Sequence, residues 1–276
     1  MSKLQNLKPN GFSLPVTLSL ILTLAVILSV AVFYSRQSYE SVRAATKREQ
    51  DRQQLLGALR VVEYSMRANP EKWNLANHAH SFRIGETNFK VGVQASAGLI
   101  DLNAAMLGSL QDMLIVAGAD IQKASDYANR IIDWRDPDKV KTNGYSENSD
   151  YENLGIPLPR NGSFKKTEEL ALVLGFGPVT AKCLQPLITV DSSLAEIVST
   201  LAPPPLRSNG RDTSNTPITP SIGSAVEITI SDVSKAKPTT LVAVVRMTDD
   251  PRNPQITHEL IWKPAVARNI APDCFP

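Results

Sequence analysis

A dense cluster of oxygen-bearing side chains lies between positions 133 and 152, among them Asp133, Asp136, Asp138, Asn143, Ser146, Glu147, Asn148, Asp150 and Glu152. Calcium takes roughly six to eight oxygen ligands in flexible geometry, and a loop such as Thr142-Asn143-Gly144 adds backbone carbonyls. The six carboxylates Asp133, Asp136, Asp138, Glu147, Asp150 and Glu152 are therefore candidate ligands for an ion that orders the loop. Their spacing does not match an EF-hand. The same residues also read as a solvated acidic loop, with Asp133 or Asp136 capping a turn at Pro137.

Other chemistry is sparse. His78, His80 and His258 do not have zinc-ligand spacing. The chain has no Gly-x-Ser-x-Gly elbow and no phosphate-binding glycine loop ending in Gly-Lys-Ser/Thr. Gly175-Phe176-Gly177-Pro178-Val179-Thr180-Ala181 resembles the hairpin of a helix-hairpin-helix module. Its one nearby cation is Lys182, and the net charge is only +2. Phosphate binding draws on several cations, so a packing hairpin is the better reading and no nucleic acid is expected. Cys183 and Cys274 are compatible with one disulfide in an oxidising compartment, or with two separate buried thiols.

The elements that must position these residues begin with an uncharged run, Phe12 to Tyr34. As a helix it would be about 34 Å long, enough to cross a hydrocarbon core. It is too long for an ordinary signal peptide, although Ser29-Val30-Ala31 would offer a cleavage site. From Gln37 to Ala68 no proline intervenes, and Leu55, Leu59, Val62 and Met66 mark one helical face before Asn69-Pro70 stops it. His80 to Ile100 reads as two strands, with Phe89, Val91 and Val93 alternating with polar positions. Helices are expected over Ala104–Ala117, Ile121–Trp134, Thr167–Leu174, Pro178–Leu187 and Leu194–Leu201, the first capped by Asp101 or Asn103. A linker rich in Pro, Ser and Thr follows, then strands at Ala225–Ser231, Thr240–Met247 and Ile256–Trp262. Together these predict an α+β fold: a long transmembrane helix on an antiparallel sheet interrupted by a large all-α insertion with helix-hairpin-helix-like units. The divisions are 1–11 leader, 12–69 helix, 70–101 first β region, 102–201 insertion, 202–223 linker and 224–276 second β region.

Gly11-Phe12-Ser13-Leu14, where a basic leader meets the apolar run, resembles the leader of type IV pilins and pseudopilins. That resemblance implies cleavage by a prepilin peptidase between Gly11 and Phe12 and methylation of the new Phe12 amine. Leu99-Ile100-Asp101-Leu102-Asn103-Ala104 and Ile131-Ile132-Asp133-Trp134-Arg135-Asp136-Pro137-Asp138 go further. With Thr167-Glu168-Glu169-Leu170, Gly175 and Leu184 through Val190, they look like the minor pseudopilin K family of type II secretion systems. The family resemblance implies a structural tip subunit with I, J and H type pseudopilins as partners. It also implies a single span in the inner membrane of a Gram-negative bacterium, a periplasmic head, and calcium at the acidic loop.

One departure from ordinary pilins agrees with this. Pilins carry a glutamate at the fifth mature position, here Val16. A carboxylate in lipid is kept only where a partner charge neutralises it, and a subunit with nothing stacked above needs none. Two further readings belong to other classes: a DNA-binding or adhesive pilin tip, and a membrane-tethered hydrolase using the acidic cluster. A salt-sensitive DNA affinity would favour the first. An activity lost in Asp136→Ala would favour the second.

Overall fold

The computed structural model describes residues 13–138, 140, 142, 147–207, 218–235, 239–248, 255–256, 261–264 and 274–275. Gly11 and Phe12 lie outside them. The chain divides into two units at Gln54–Leu55.

The first unit is helical throughout its described part, the leading portion of α1 (Ser13–Ala68). Among the described residues this is the one helix long and apolar enough to cross a membrane. Leu22, Ile27 and Phe33 are exposed on it, and Thr17, Ser19, Thr23 and Ser29 return their hydroxyls to carbonyls three or four residues back. Such back-bonding satisfies a hydroxyl that lipid could not.

The second unit has two cores. In one, the last turns of α1 bury Leu55, Leu59, Val62 and Met66 against Phe89, Val91, Val93, Ile228, Ile230, Leu241 and Val245. Each such side chain contributes roughly 1.5–3 kcal/mol on burial. The strands are β1 (Ala76–Ile84), β2 (Thr87–Ala95), β5 (Ala225–Asp232), β6 (Thr239–Arg246), β7 (Gln255–Ile256) and β8 (Ile261–Pro264). They join as β1-β2-β5-β6-β7 with β8 also on β6, every pair antiparallel. The single strand expected over Ile256–Trp262 is thus two. Val245 faces Ile256 while Val242 faces Ile261, so four residues stand opposite two and the ladder cannot run continuously.

The other core belongs to the insertion between β2 and β5. Around it lie α2 (Leu107–Val116), α3 (Ile121–Arg135), α4 (Glu147–Leu154) and α5 (Gly177–Leu184). Asp120 caps α3 by accepting from Lys123 N–H at 2.8 Å. The insertion is not all-α. Its root holds a short parallel pair, β3 (Ile100–Asp101) with β4 (Ile188–Thr189). Thr167–Leu172 is 3-10 rather than α, and Leu194–Leu201 keeps only a 3-10 turn at Ser199–Leu201. Ile197, Val198 and Thr200 are β-branched, and Val198 N–H is drawn to Ala97 O at 2.8 Å, so the chain there stays extended. The linker is ordered at its start, where Pro204–Leu206 forms a 3-10 turn and Arg207 Nε donates to Ala202 O at 2.8 Å.

Candidate functional site: an acidic helix end on a locked insertion

Asp133, Asp136 and Asp138 sit at the end of α3, where helix gives way to the turn at Pro137. Asp133 is buried and its Oδ1 accepts from Thr142 N–H at 3.0 Å and Thr142 Oγ1 at 2.6 Å. Asp138 Oδ1 accepts from Val140 N–H at 2.8 Å, and its carbonyl accepts from Asn161 Nδ2. Asp136 is only partly relieved: its carboxylate accepts from Asp138 N–H across Pro137, while its Oδ1 is buried without a hydrogen-bond partner. Burial, then the charges of Asp138 and Asp133, push its carboxyl above the ordinary aspartate value. The helix C-terminus adds partial negative charge to the same place.

The remaining candidates are on α4. Asp150 is half-buried and Glu152 exposed, and the Glu147 side chain lies outside the described residues, as do Asn143 and Ser146. Among the described residues, no three His, Cys, Asp or Glu side chains come close enough together to hold a metal ion. The turn at Pro137 is thus capped by Asp136, whose carboxylate accepts from Asp138 N–H, while Asp133 is bonded to Thr142.

Two further motifs position α3. Asp101, at 1% exposure, accepts from Asn103 N–H at 2.8 Å, Ala104 N–H at 3.2 Å, Ser192 Oγ at 3.0 Å and Ser193 N–H at 2.7 Å. It caps a turn rather than α2, which starts only at Leu107. Arg135, in the last turn of α3, donates to Leu102 O at 2.8 Å and Ala105 O at 2.7 Å. Burial pulls the guanidinium below its usual range, and the charges of Asp101 and Asp136 pull it back up. Asn103 pairs with the Phe164 backbone in both directions, at 3.0 and 2.7 Å, as a strand residue would. Trp134 stacks on Phe164 at 6.0 Å and meets Tyr151 at 6.4 Å, tying α4 to α3. The two family-like motifs thus meet as one structural lock.

The hairpin at Gly175 packs on α3. Its backbone has φ +93°, and a Cβ there would come within 2.6 Å of Arg130 Nη1 and of the Tyr127 ring. Phe176 meets Tyr127 at 5.1 Å, and Val179 at the start of α5 is exposed. Cys183 and Cys274 are joined in a disulfide with their Cα atoms 5.6 Å apart.

The two ends of the insertion are joined at its root. Gln94 is buried and its Nε2 donates to Leu201 O at 2.9 Å and Ala95 O at 3.0 Å. Gly98 lies flat against the backbone of Leu201 and Ala202. Arg246 Nη2 reaches across from β6 to Asp191 O at 3.0 Å. Sequence reasoning missed Gln94, Gly98 and Arg135 as positioning residues.

Residues 87–192 match the family model for type II secretion system protein K. No curated protein sequence matches the chain. Among solved structures, it is similar to a chain of the GspK-GspI-GspJ complex from the type 2 secretion system of enterotoxigenic Escherichia coli. The TM-score is 0.57 at 13% identity, covering 82% of this chain and 100% of that one.

Proposed function

We propose, for a chain that belongs through residues 87–192 to the minor pseudopilin K family of type II secretion systems, the role of the subunit that caps the pseudopilus. The observation that carries this reading is the insertion. More than a hundred residues leave the pilin-like sheet after β2 and return before β5 as a separately cored body fixed at its root. A body of that size obstructs a second subunit stacking on the same head. Val16 in place of a lipid-buried carboxylate agrees, because a terminal subunit has no terminal amine above it to neutralise. The partners in this reading are the I, J and H type pseudopilins, met through α1. The membrane is the inner one, with residues from Leu55 onward in the periplasm, and processing by the prepilin peptidase falls between Gly11 and Phe12.

The test is made on the full chain co-expressed with the peptidase and the other pseudopilins. Intact mass is expected to show a methylated chain beginning at Phe12, and gold labelling of the head is expected only at pseudopilus ends. A chain that keeps Met1, or label spread along filaments, would overturn the reading.

Calcium is the second element of the proposal. The residues that would hold it are Asp133, Asp136 and Asp138 at the end of α3 with Glu147, Asp150 and Glu152 of α4, which would have to draw closer together around the ion than the described side chains stand, and its role would be to order this loop. An ion bound only by the folded state raises stability by about 2.7 kcal/mol at a hundred times its dissociation constant. Calcium is therefore expected to raise Tm in wild type and not in Asp136→Asn. Without calcium the variant should be at least as stable as wild type, because it removes a charge that its neighbours repel. An equal calcium shift in both proteins would remove Asp136 from the ligand set.

A further inference from the structure

Just past the apolar run of α1, four exposed side chains line up along one side of the helix. Arg36, Tyr39, Arg43 and Lys47 follow one another at steps of three, four and four residues. Phe33 and Tyr34, edge to ring at 6.2 Å, mark the end of the apolar run beneath them. Among the described residues no ion pair engages Arg36 or Arg43, although Glu40 and Asp51 stand beside the row. Arg48 and Arg52 point to another side of the helix. The row is therefore a basic face with one aromatic ring set in it.

We propose that this face binds the headgroup of an anionic glycerophospholipid at the surface from which α1 emerges. The direction of the side chains carries the argument. Cα–Cβ bonds tilt toward a helix's N-terminus, so side chains beyond the C-terminal end of a span lean back toward the bilayer. Arg43 lies nine residues past Tyr34, about 13 Å along the axis. The headgroup layer is about 5–8 Å deep on each side, which leaves a gap of about 5–8 Å for an arginine stem to cross. The guanidinium then meets phosphate through two parallel N–H donors. Arg36 lies inside the layer, Tyr39 sits where aromatic rings favour the interface, and Lys47 adds attraction over a longer range. The inference rests on the span proposed above: once α1 crosses a bilayer, headgroups are the anions that must lie at this height. Cations at the exported end of a span oppose its orientation during insertion, and phosphate contacts offset that. Held in this way, α1 has a fixed depth and a fixed rotation about its own axis.

The experiment measures lipid binding to the full chain in micelles of an uncharged detergent by native mass spectrometry. Phosphatidylglycerol is titrated against phosphatidylcholine, which carries the phosphate without the net charge. Wild type is compared with Arg36→Gln/Arg43→Gln and with Arg48→Gln/Arg52→Gln, which removes the same charge from another side of the helix. Wild type is expected to prefer phosphatidylglycerol. Each basic residue at an anionic surface is worth about fivefold in affinity, so Arg36→Gln/Arg43→Gln should lose about twentyfold for phosphatidylglycerol. Its phosphatidylcholine binding should not change, and Arg48→Gln/Arg52→Gln should lose less than about threefold. Equal losses in the two variants would overturn the site, leaving only attraction by net charge. Equal affinity of wild type for the two lipids would overturn it too. If Arg36→Gln/Arg43→Gln then failed to co-purify with the other pseudopilins, the face would belong to a partner helix instead. The span is checked separately by flotation with phosphatidylcholine vesicles. A chain that does not float overturns the span and this inference with it, whereas one that floats without lipid preference overturns this inference alone.

Discussion

Gly98→Ala is expected to destabilise the head by more than about 3 kcal/mol, because among the described glycines it is the one whose Cβ would come nearest to other atoms. The added Cβ would overlap the carbonyl of Leu201 and lie 2.8 Å from Ala202 N. These are backbone atoms, so no side chain can swing aside. Leu201 O is also the acceptor for buried Gln94 and cannot move away without leaving that amide unpaired. Chemical denaturation should show a lower midpoint, and exchange should show the loss first at Val198 N–H. A variant within ~0.5 kcal/mol of wild type would mean that the root yields freely and does not fix the insertion.

Asp101→Ala is expected to cost about 3–5 kcal/mol, the range for removing one member of a buried charged network. Four donors lose their acceptor together, and Arg135 loses the stronger of its two compensating charges. Part of the loss has an identifiable source. Ser193 is held at φ +56°, a left-handed conformation, and its N–H is the shortest donor to Asp101. Adding Ser193→Gly should therefore return about 1 kcal/mol, because glycine adopts that conformation without strain. No recovery in the double variant would place the loss elsewhere in the network. Equilibrium urea unfolding of wild type, both single variants and the double variant measures the coupling directly.

The parts of the fold legible in sequence were those written in local periodicity. Leu55, Leu59, Val62 and Met66 do bury one helix face, and Phe89, Val91 and Val93 do alternate into the core. α3 begins and ends within a residue of the expected span. α4 was not legible because its sequence, Glu147 to Leu154, carries no apolar stripe and is held chiefly by one residue, Tyr151, under Trp134. The root and the Asp101 hub were not legible for a different reason. Their partners lie 107 and 91–92 positions away, and no spacing rule reaches that far. Of the acidic cluster, the residue types were compatible with a cation site or a solvated loop, and only burial singles out Asp136 as the described member with an oxygen left unpartnered.

Ala95 at the end of β2 and Val226 near the start of β5 are direct partners across an antiparallel ladder. To the sheet, everything between those strands is a hairpin turn. Lengthening such a turn from four residues to well over a hundred raises its closure entropy by only about 3 kcal/mol, since the cost grows with the logarithm of length. The head is thus a socket roughly 5 Å wide, and any body whose two ends meet at that spacing can occupy it. A pilin-like subunit can exchange one crown for another, or shed it for a tight turn, while the strands beneath keep their register.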